Sequence, residues 1–497
     1  MDSVLKGLEF VLQPSTLLWI VVGDIVGIFV GALPGLTATM GLALFLPVTI
    51  ALDPLTGISL MLGLYFGAVT GASIPAILFG IPGNPNAIAT VFDGLPMARK
   101  GQAGIALGGA VIASFIGGLI STMALLAAAP ALARFSLLFG PAEYFALAVA
   151  SLTIIASVSG PSLLKGLVMG AVGVLLATVG IDVMTGVPRF TFGNPFVANG
   201  IGLVPVLIGM FGITQALEDA ARPGGFGQIV TQQLGRLFPS FSQLKKMWRI
   251  ILESSWIGTF IGLLPGAGAS VAVVLAYERA KQLDPKPEEF GTGRLEGVVA
   301  PEVANNACIG GGLIPTLTLA LPGEAAAVPI LAALVIHGIT PGPLLFSFQP
   351  HFIYAVVFAM IVANVTTCIF QLGGIRLFVK ALSVPRAMLT PIVIMLSVLG
   401  AYALNGWMFD AVVAVAAGIL GFLLKRAGYP LIPLILGLVL GGMMESEFRR
   451  AMIITGGDLS IFMTRPLAAL LLAAGTISVA RQIMAQRRLA TQGRKAT

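Results

Sequence analysis

Apolar runs of about 20 residues, the length that crosses a bilayer as a helix, follow one another along almost the whole chain. Short polar connections part them. Membrane segments are predicted at 15–31, 36–52, 55–80, 103–130, 141–158, 162–181 and 198–217. They resume at 254–264, 268–280, 297–320, 325–338, 351–372, 387–404, 408–424, 429–443 and 460–480. Several are too short to cross alone and read as hairpins or half-helices, which leaves about ten to twelve crossings. The predicted fold is an all-α polytopic membrane protein with re-entrant or broken helices. The longest polar stretches, 222–253 and 281–296, are loop-sized, so no soluble domain is expected. No A-x-A pattern closes the first run, so 15–31 reads as a retained span rather than a signal peptide.

Glycine and proline interrupt this pattern in a repeated way. GALPGLTATM (31–40) returns as GLLPGAGASV (262–271), and GASIPAILFGIPGN (71–84) as GGLIPTLTLALPGE (311–324). The offset is 231 residues for the first pair and 240 for the second; the polar insert at 284–296 supplies the difference. The chain therefore reads as two repeated halves, 1–230 and 231–497. Residues 1–14 carry one basic and two acidic side chains, whereas 236–253 carries Arg236, Lys245, Lys246 and Arg249 against Glu253. Basic loops stay cytoplasmic. The second half then begins inside and the first outside, which is inverted topology.

Composition agrees: 57% of the residues are apolar and 10% charged, against about 25% charged in soluble domains. The net charge of +7 sits in short connections, where it reads as topology signal rather than a nucleic-acid surface. Arg481, Arg487, Arg488, Arg494 and Lys495 without an acid place the C-terminus in the cytoplasm. Cys308 and Cys368 lie in apolar runs and suggest neither a disulfide framework nor a metal site. The segments 242–256 and 445–454 alternate basic and apolar residues, as helices lying on a membrane do, or else form short polar linkers.

The breaks are the candidate site. A helix resuming after a Pro–Gly break presents free N–H groups and a positive dipole end, which suit an anion. Backbone left unpaired at membrane depth is tolerated where it is buried in protein or faces a water-filled cavity. Pro34, Gly35, Thr37 and Thr39 in one half, and Pro265, Gly266, Gly268 and Ser270 in the other, are candidate substrate contacts. The second motif pair adds Gly83, Asn84, Asn86, Pro322 and Gly323. Asp93 and Glu324 are candidate ligands for a coupling ion, read equally well as helix-end charges in water. Glu302, Asn305 and Asn306 fall within one helical turn, with Thr316 further on; they suit the same ion or interhelix hydrogen bonds. The coupling ion is Na⁺ or H⁺, and no other cofactor is expected. Asp24 has Ser255 as its counterpart, so no symmetric role is implied; Lys165 and Asp410 read as span-end residues that snorkel or face loops. His337 and His351 read as structural. There is no Walker A, His-Glu-x-x-His or Gly-x-Ser-x-Gly motif, so ATP hydrolysis within the chain is not expected.

The stretches 31–49, 65–94, 262–272 and 301–330 together resemble the large membrane subunit of the tripartite tricarboxylate transporter family, and the likeness covers nearly the whole chain. The resemblance implies a carrier in the bacterial inner membrane, driven by an ion gradient. It implies a small four-span membrane subunit and a periplasmic solute-binding protein as partners, and tri- or dicarboxylates or related organic acids as substrates. An anion channel lacks the need for duplicated breaks. A membrane-embedded enzyme needs a nucleophile, metal ligands or an acid–base pair at one site. Both remain rivals to a carrier working by alternating access.

Overall fold

The computed structural model describes residues 2–33, 35–159, 162–182, 184–221, 236–265, 268–381 and 386–495. The first half contains α1 (Asp2–Val11), α2 (Pro14–Ala32), α3 (Ala38–Ile50), α4 (Pro54–Gly71), α5 (Ser73–Phe79), α6 (Ile88–Arg99), α7 (Ala103–Ser136), α8 (Pro141–Val158) and α9 (Leu163–Ala177). A two-stranded antiparallel hairpin, β1 (Gly180–Ile181) and β2 (Pro188–Arg189), follows, and then α10 (Pro195–Ala198), α11 (Leu203–Leu207) and α12 (Thr214–Ala221). Between α11 and α12 the turns Ile208–Ile213 are wound as π-helix. The second half contains α13 (Phe241–Lys246), α14 (Trp248–Leu263), α15 (Gly268–Leu283), α16 (Glu296–Leu319), α17 (Ala327–Ile336), α18 (Pro343–Phe348) and α19 (Pro350–Ala381). It closes with α20 (Arg386–Asn405), α21 (Met408–Arg426), α22 (Leu431–Thr455), α23 (Ile461–Thr464) and α24 (Pro466–Lys495).

The protein is an all-α polytopic membrane protein. Among the described residues, nine helical segments are long and apolar enough to cross a membrane. Every predicted segment coincides with a helix. Some of these helices are short: α3 has 13 residues and α17 has 10. At about 1.5 Å per residue neither reaches the ~30 Å of a hydrocarbon core. The 445–454 segment is no separate surface helix; it is the last turns of α22.

Each long helix before a break packs flat against the helix two elements later, α2 against α4 and α14 against α16. The same contacts recur at the two sequence offsets. A methyl group on Gly31 would lie 2.2 Å from the Ala68 carbonyl oxygen, and one on Gly262 would lie 2.8 Å from that of Cys308. One on Gly83 would lie 2.4 Å from Gly31 O, and one on Gly323 would lie 2.3 Å from Gly262 O. Only glycine permits such backbone contact. The helix ends before the second breaks match too: Gly80 (φ 66°) caps α5 and Ala320 (φ 56°) caps α16, both left-handed. The halves interleave, since α16 runs along α7 and α22 along α9.

Candidate functional site

Four loops converge on one cavity of about 590 Å³. From the first half come Thr37 and Thr39 at the start of α3, and Asn84 and Asn86 after Pro82. Thr37 caps α3 by accepting from Met40 N at 3.2 Å. Its own hydroxyl proton is left to donate elsewhere. Asn84 Oδ1 accepts from Asn86 N at 2.9 Å, which fixes the turn and leaves the Asn84 amide hydrogens uncommitted. From the second half come Gly268 and Ser270 at the start of α15, and Glu324. Glu324 is buried (6% exposed), and its Oε1 has no hydrogen-bond partner. Thr37 and Gly268, Thr39 and Ser270, Asn84 and Glu324, and Asn86 and Ala326 stand at matching positions of the two halves. The first N–H groups of two helices, hydroxyls and amides thus surround one space, a donor set suited to an anion.

The rest of the lining comes from elsewhere in the chain. Met210, Phe211, Thr214 and Gln215 line the cavity from the π-helical turns and α12, with Ser159 after α8. Lys425, Tyr429 and Pro430 line it between α21 and α22. Lys425 Nζ donates to Glu218 Oε2 at 2.5 Å. Lys165, expected at a span end, donates to Ala427 O at 2.5 Å and lies 4.7 Å from the Tyr429 ring centroid, next to this lining. A π-helical turn frees a carbonyl from the regular ladder and commonly marks a functional site; here Thr214 Oγ1 donates to Gly418 O at 3.0 Å and ties the turn to α21.

The sequence matches the tripartite tricarboxylate transporter TctA family over residues 17–436. The chain belongs to that family. It is 40% identical over 473 residues to an uncharacterized 52.8 kDa protein in the TAR-I ttuC′ 3′ region of Agrobacterium vitis, covering 95% of this chain and 94% of that one. A protein of the TAR-II ttuC′ 3′ region of the same organism is 40% identical over 222 residues, 45% of this chain and 92% of the relative. No solved structure gives a significant match. As a TctA-family protein the chain is a multi-pass membrane subunit of a tripartite tricarboxylate transporter, a system that includes partner subunits.

The other residues singled out in this TctA-family chain lie around the cavity or apart from it. Gly35 (φ 100°) backs onto the Asp219 carboxylate of α12, and Gly83 and Gly323 are the backbone contacts described above. Pro265 and Pro322 belong to the same two breaks without lining the cavity, and Pro34 and Gly266 lie outside the described residues. Asp93 is neither in the cavity nor in water. It is fully buried, and accepts from the N–H groups of Gly291 (3.0 Å), Gly293 (2.7 Å) and Arg294 (2.8 Å) and from Tyr277 Oη (2.9 Å). Its lone pairs hold the polar insert against α6. Glu302 is also fully buried away from the cavity and accepts from Thr90 (2.6 Å) and Ser114 (3.2 Å). Asn306 accepts from Thr70 at 3.0 Å, while both polar atoms of Asn305 are unpartnered. Thr316 donates back to Gly312 O within its own helix at 2.6 Å. Asp410 accepts from Asn405 Nδ2 at 2.7 Å and is buried, not loop-facing. Among the described residues no three His, Cys, Asp or Glu side chains gather to hold a metal ion.

Outside the membrane segments, Asp182 beside the hairpin is held well below the usual carboxylate range. Its first cause is the hydrogen bond from Met184 N (2.8 Å), its second the Arg449 guanidinium (2.6 Å). Arg189 bridges the same carboxylate to Glu445 of α22.

Proposed function

We propose that this chain forms the translocation path of a tripartite, binding-protein-dependent secondary transporter of tri- or dicarboxylates or related organic acids. The observation that carries the reading is the shared cavity. Breaks from both halves deliver helix starts, hydroxyls and amides to one space, which is where transporters built from repeats bind their substrates. Thr37, Thr39, Asn84, Asn86, Gly268 and Ser270 receive the carboxylates. Na⁺ or H⁺ enters with them, with Glu324 and the Glu302–Asn305–Asn306 group as the carboxylate and amide sites at hand. The two halves are a duplication, which the recurring glycine contacts support, and an inverted one, which the charge difference between 1–14 and 236–253 supports; they alternate access by moving one break-bearing unit against a scaffold. The membrane is a bacterial inner membrane, with the C-terminus cytoplasmic. A small four-span subunit accompanies the chain and a periplasmic protein delivers the acid.

The test is uptake of labelled citrate and a panel of dicarboxylates into proteoliposomes holding the chain, its small partner and its binding protein, under an imposed Na⁺ or proton gradient. Gradient-driven, binding-protein-dependent uptake with trans-stimulation supports the carrier. Flux without trans-stimulation means a channel. No uptake of any acid by folded protein removes the carboxylate assignment.

A further inference from the structure

Asp24 lies in the middle of α2 with no exposed surface, and it does not line the cavity. Its two oxygens face two neighbouring hydroxyls of α19. Thr367 Oγ1 donates to Oδ1 at 2.8 Å, and Thr366 Oγ1 touches Oδ2. Thr366 has one hydroxyl proton. Two carbonyls of its own helix also claim it, Val362 O at 2.7 Å and Ala363 O at 3.2 Å. Helical threonines habitually donate back to such carbonyls. When Thr366 does so, its contact with Asp24 joins two oxygens with no proton between them, unless Asp24 supplies one. A neutral carboxyl group does. Its Oδ2–H donates to Thr366, Thr366 donates to Val362 O, and Oδ1 accepts from Thr367, so each group is paired once.

A charged Asp24 would accept from both hydroxyls, but that leaves its buried charge to be balanced. Of the helices packed on α2, α3 and α5 carry no ionisable residue and α4 carries only Tyr65. Helix α1 carries Asp2, Lys6 and Glu9, and α19 carries His351, Tyr354, Cys368 and Arg376 among its described side chains. None of these hydrogen-bonds or ion-pairs with Asp24 among the described residues. A carboxylate buried without a cation at membrane depth is costly.

The position matters for the cavity. The backbones of α2 and α4 touch at Gly27 and Gly63, so the two helices form one piece; the chain leaving α2 leads into one cavity loop, and that leaving α4 leads through α5 into another. Helix α19 meets that piece along a polar seam: Thr366 and Thr367 on Asp24, and Gln371 Nε2 donating to Thr70 O at 3.2 Å. A bound proton therefore favours the docked seam, and losing it favours parting or wetting; binding and conformation are thermodynamically linked.

We infer that Asp24 binds a proton in this conformation, and that releasing it is linked to separation of the α2–α4 piece from α19, which makes transport proton-coupled at a site distinct from the cavity. This rests on the carrier reading above and names its ion.

Two measurements test it. Infrared difference spectra of the purified chain at neutral pH should contain a protonated-carboxyl C=O band that Asp24→Asn removes. Asparagine keeps one acceptor and one donor, so this variant should fold. In proteoliposomes with both partners, Asp24→Asn should lower pH-gradient-driven accumulation of citrate, succinate or malate by about tenfold, inside the usual range of coupling, and leave counterflow exchange near wild type. Absence of an Asp24-dependent acid band at neutral pH overturns the proton. Wild-type accumulation by Asp24→Asn overturns the coupling. If Asp24→Asn fails to fold, Thr367→Val replaces it in the infrared arm. Loss of that hydrogen bond should move the band to higher frequency, and an unmoved band overturns the assignment. If the wild-type complex moves none of these acids, the carrier reading fails, and the infrared result still decides where the proton is.

Discussion

Gly83→Ala and Gly323→Ala should damage the protein to the same degree. The new methyl group would sit 2.4 Å from Gly31 O in the first case and 2.3 Å from Gly262 O in the second, with Ala72 Cα at 2.9 Å and Gly312 Cα at 2.6 Å behind. Ordinary carbon–oxygen contact begins near 3.4 Å, so each second-break loop must retreat by about 1 Å from the helix before the first break. Overpacking of this kind costs about 1–3 kcal/mol. That corresponds to a roughly 5- to 150-fold shift in the population of correctly docked loops. Both loops carry cavity residues, so uptake should fall with stability. The assay is thermal denaturation of the purified variants beside initial uptake rates. Gly373→Ala and Gly442→Ala are controls, since nothing lies within 4 Å of a methyl group at either place; each should be neutral or gain up to about 1 kcal/mol of helix propensity. If Gly83→Ala and Gly323→Ala melt and transport like the controls, the packing argument is wrong. If only one is damaged, the claim of matched halves is.

Asp93→Ala should destabilise by about 1–3 kcal/mol by stranding the N–H groups of Gly291, Gly293 and Arg294, while the fraction still folded keeps its apparent affinity for substrate; a specific loss of ion dependence would instead return Asp93 to the coupling site. Thr37→Val should cost about 1 kcal/mol as a lost helix cap and also raise KM, whereas Thr49→Val, a buried hydroxyl bonded to its own helix at Leu46 O, should leave KM unchanged. Because Asp182 is held below its unfolded value, it contributes stability in full above that value, about 3.9, and loses it as pH falls through the depressed folded one. Melting temperature should therefore drop in acid with an Asp182-dependent component that Asp182→Asn abolishes; equal acid slopes in the two proteins would refute a carboxyl held low by Met184 N and Arg449.

The breaks were legible because proline and glycine inside an apolar run interrupt the helix at a depth where unpaired backbone is costly. They led directly to Thr37, Thr39, Asn84, Asn86, Gly268, Ser270 and Glu324 around one cavity. The rest of the lining was not legible. Met210, Phe211 and Tyr429 look in sequence like any lipid-facing or core residue, and the π-helical turns leave no compositional mark. One signal was there to be used: Gly428-Tyr429-Pro430 is itself a break between two apolar runs. Asp93 was only partly legible. Beside a break it reads as an ion ligand or a helix-end charge in water; it is buried, and its donors come from a loop about 200 residues away. Asp24 escaped for the same reason, since the hydroxyls that give it meaning lie 342 and 343 residues further on.

The two halves line the cavity with corresponding positions that are finished differently: an amide at Asn84 has a carboxylate at Glu324 as its counterpart, and Asn86 has Ala326. A ligand with two chemically identical ends loses that equivalence on entering. Asn84 offers amide donors where its counterpart Glu324 offers an acceptor. The two ways round differ in energy, so one orientation dominates. Carbon-labelled succinate, whose carboxyl carbons give a single resonance in water, should show two when bound.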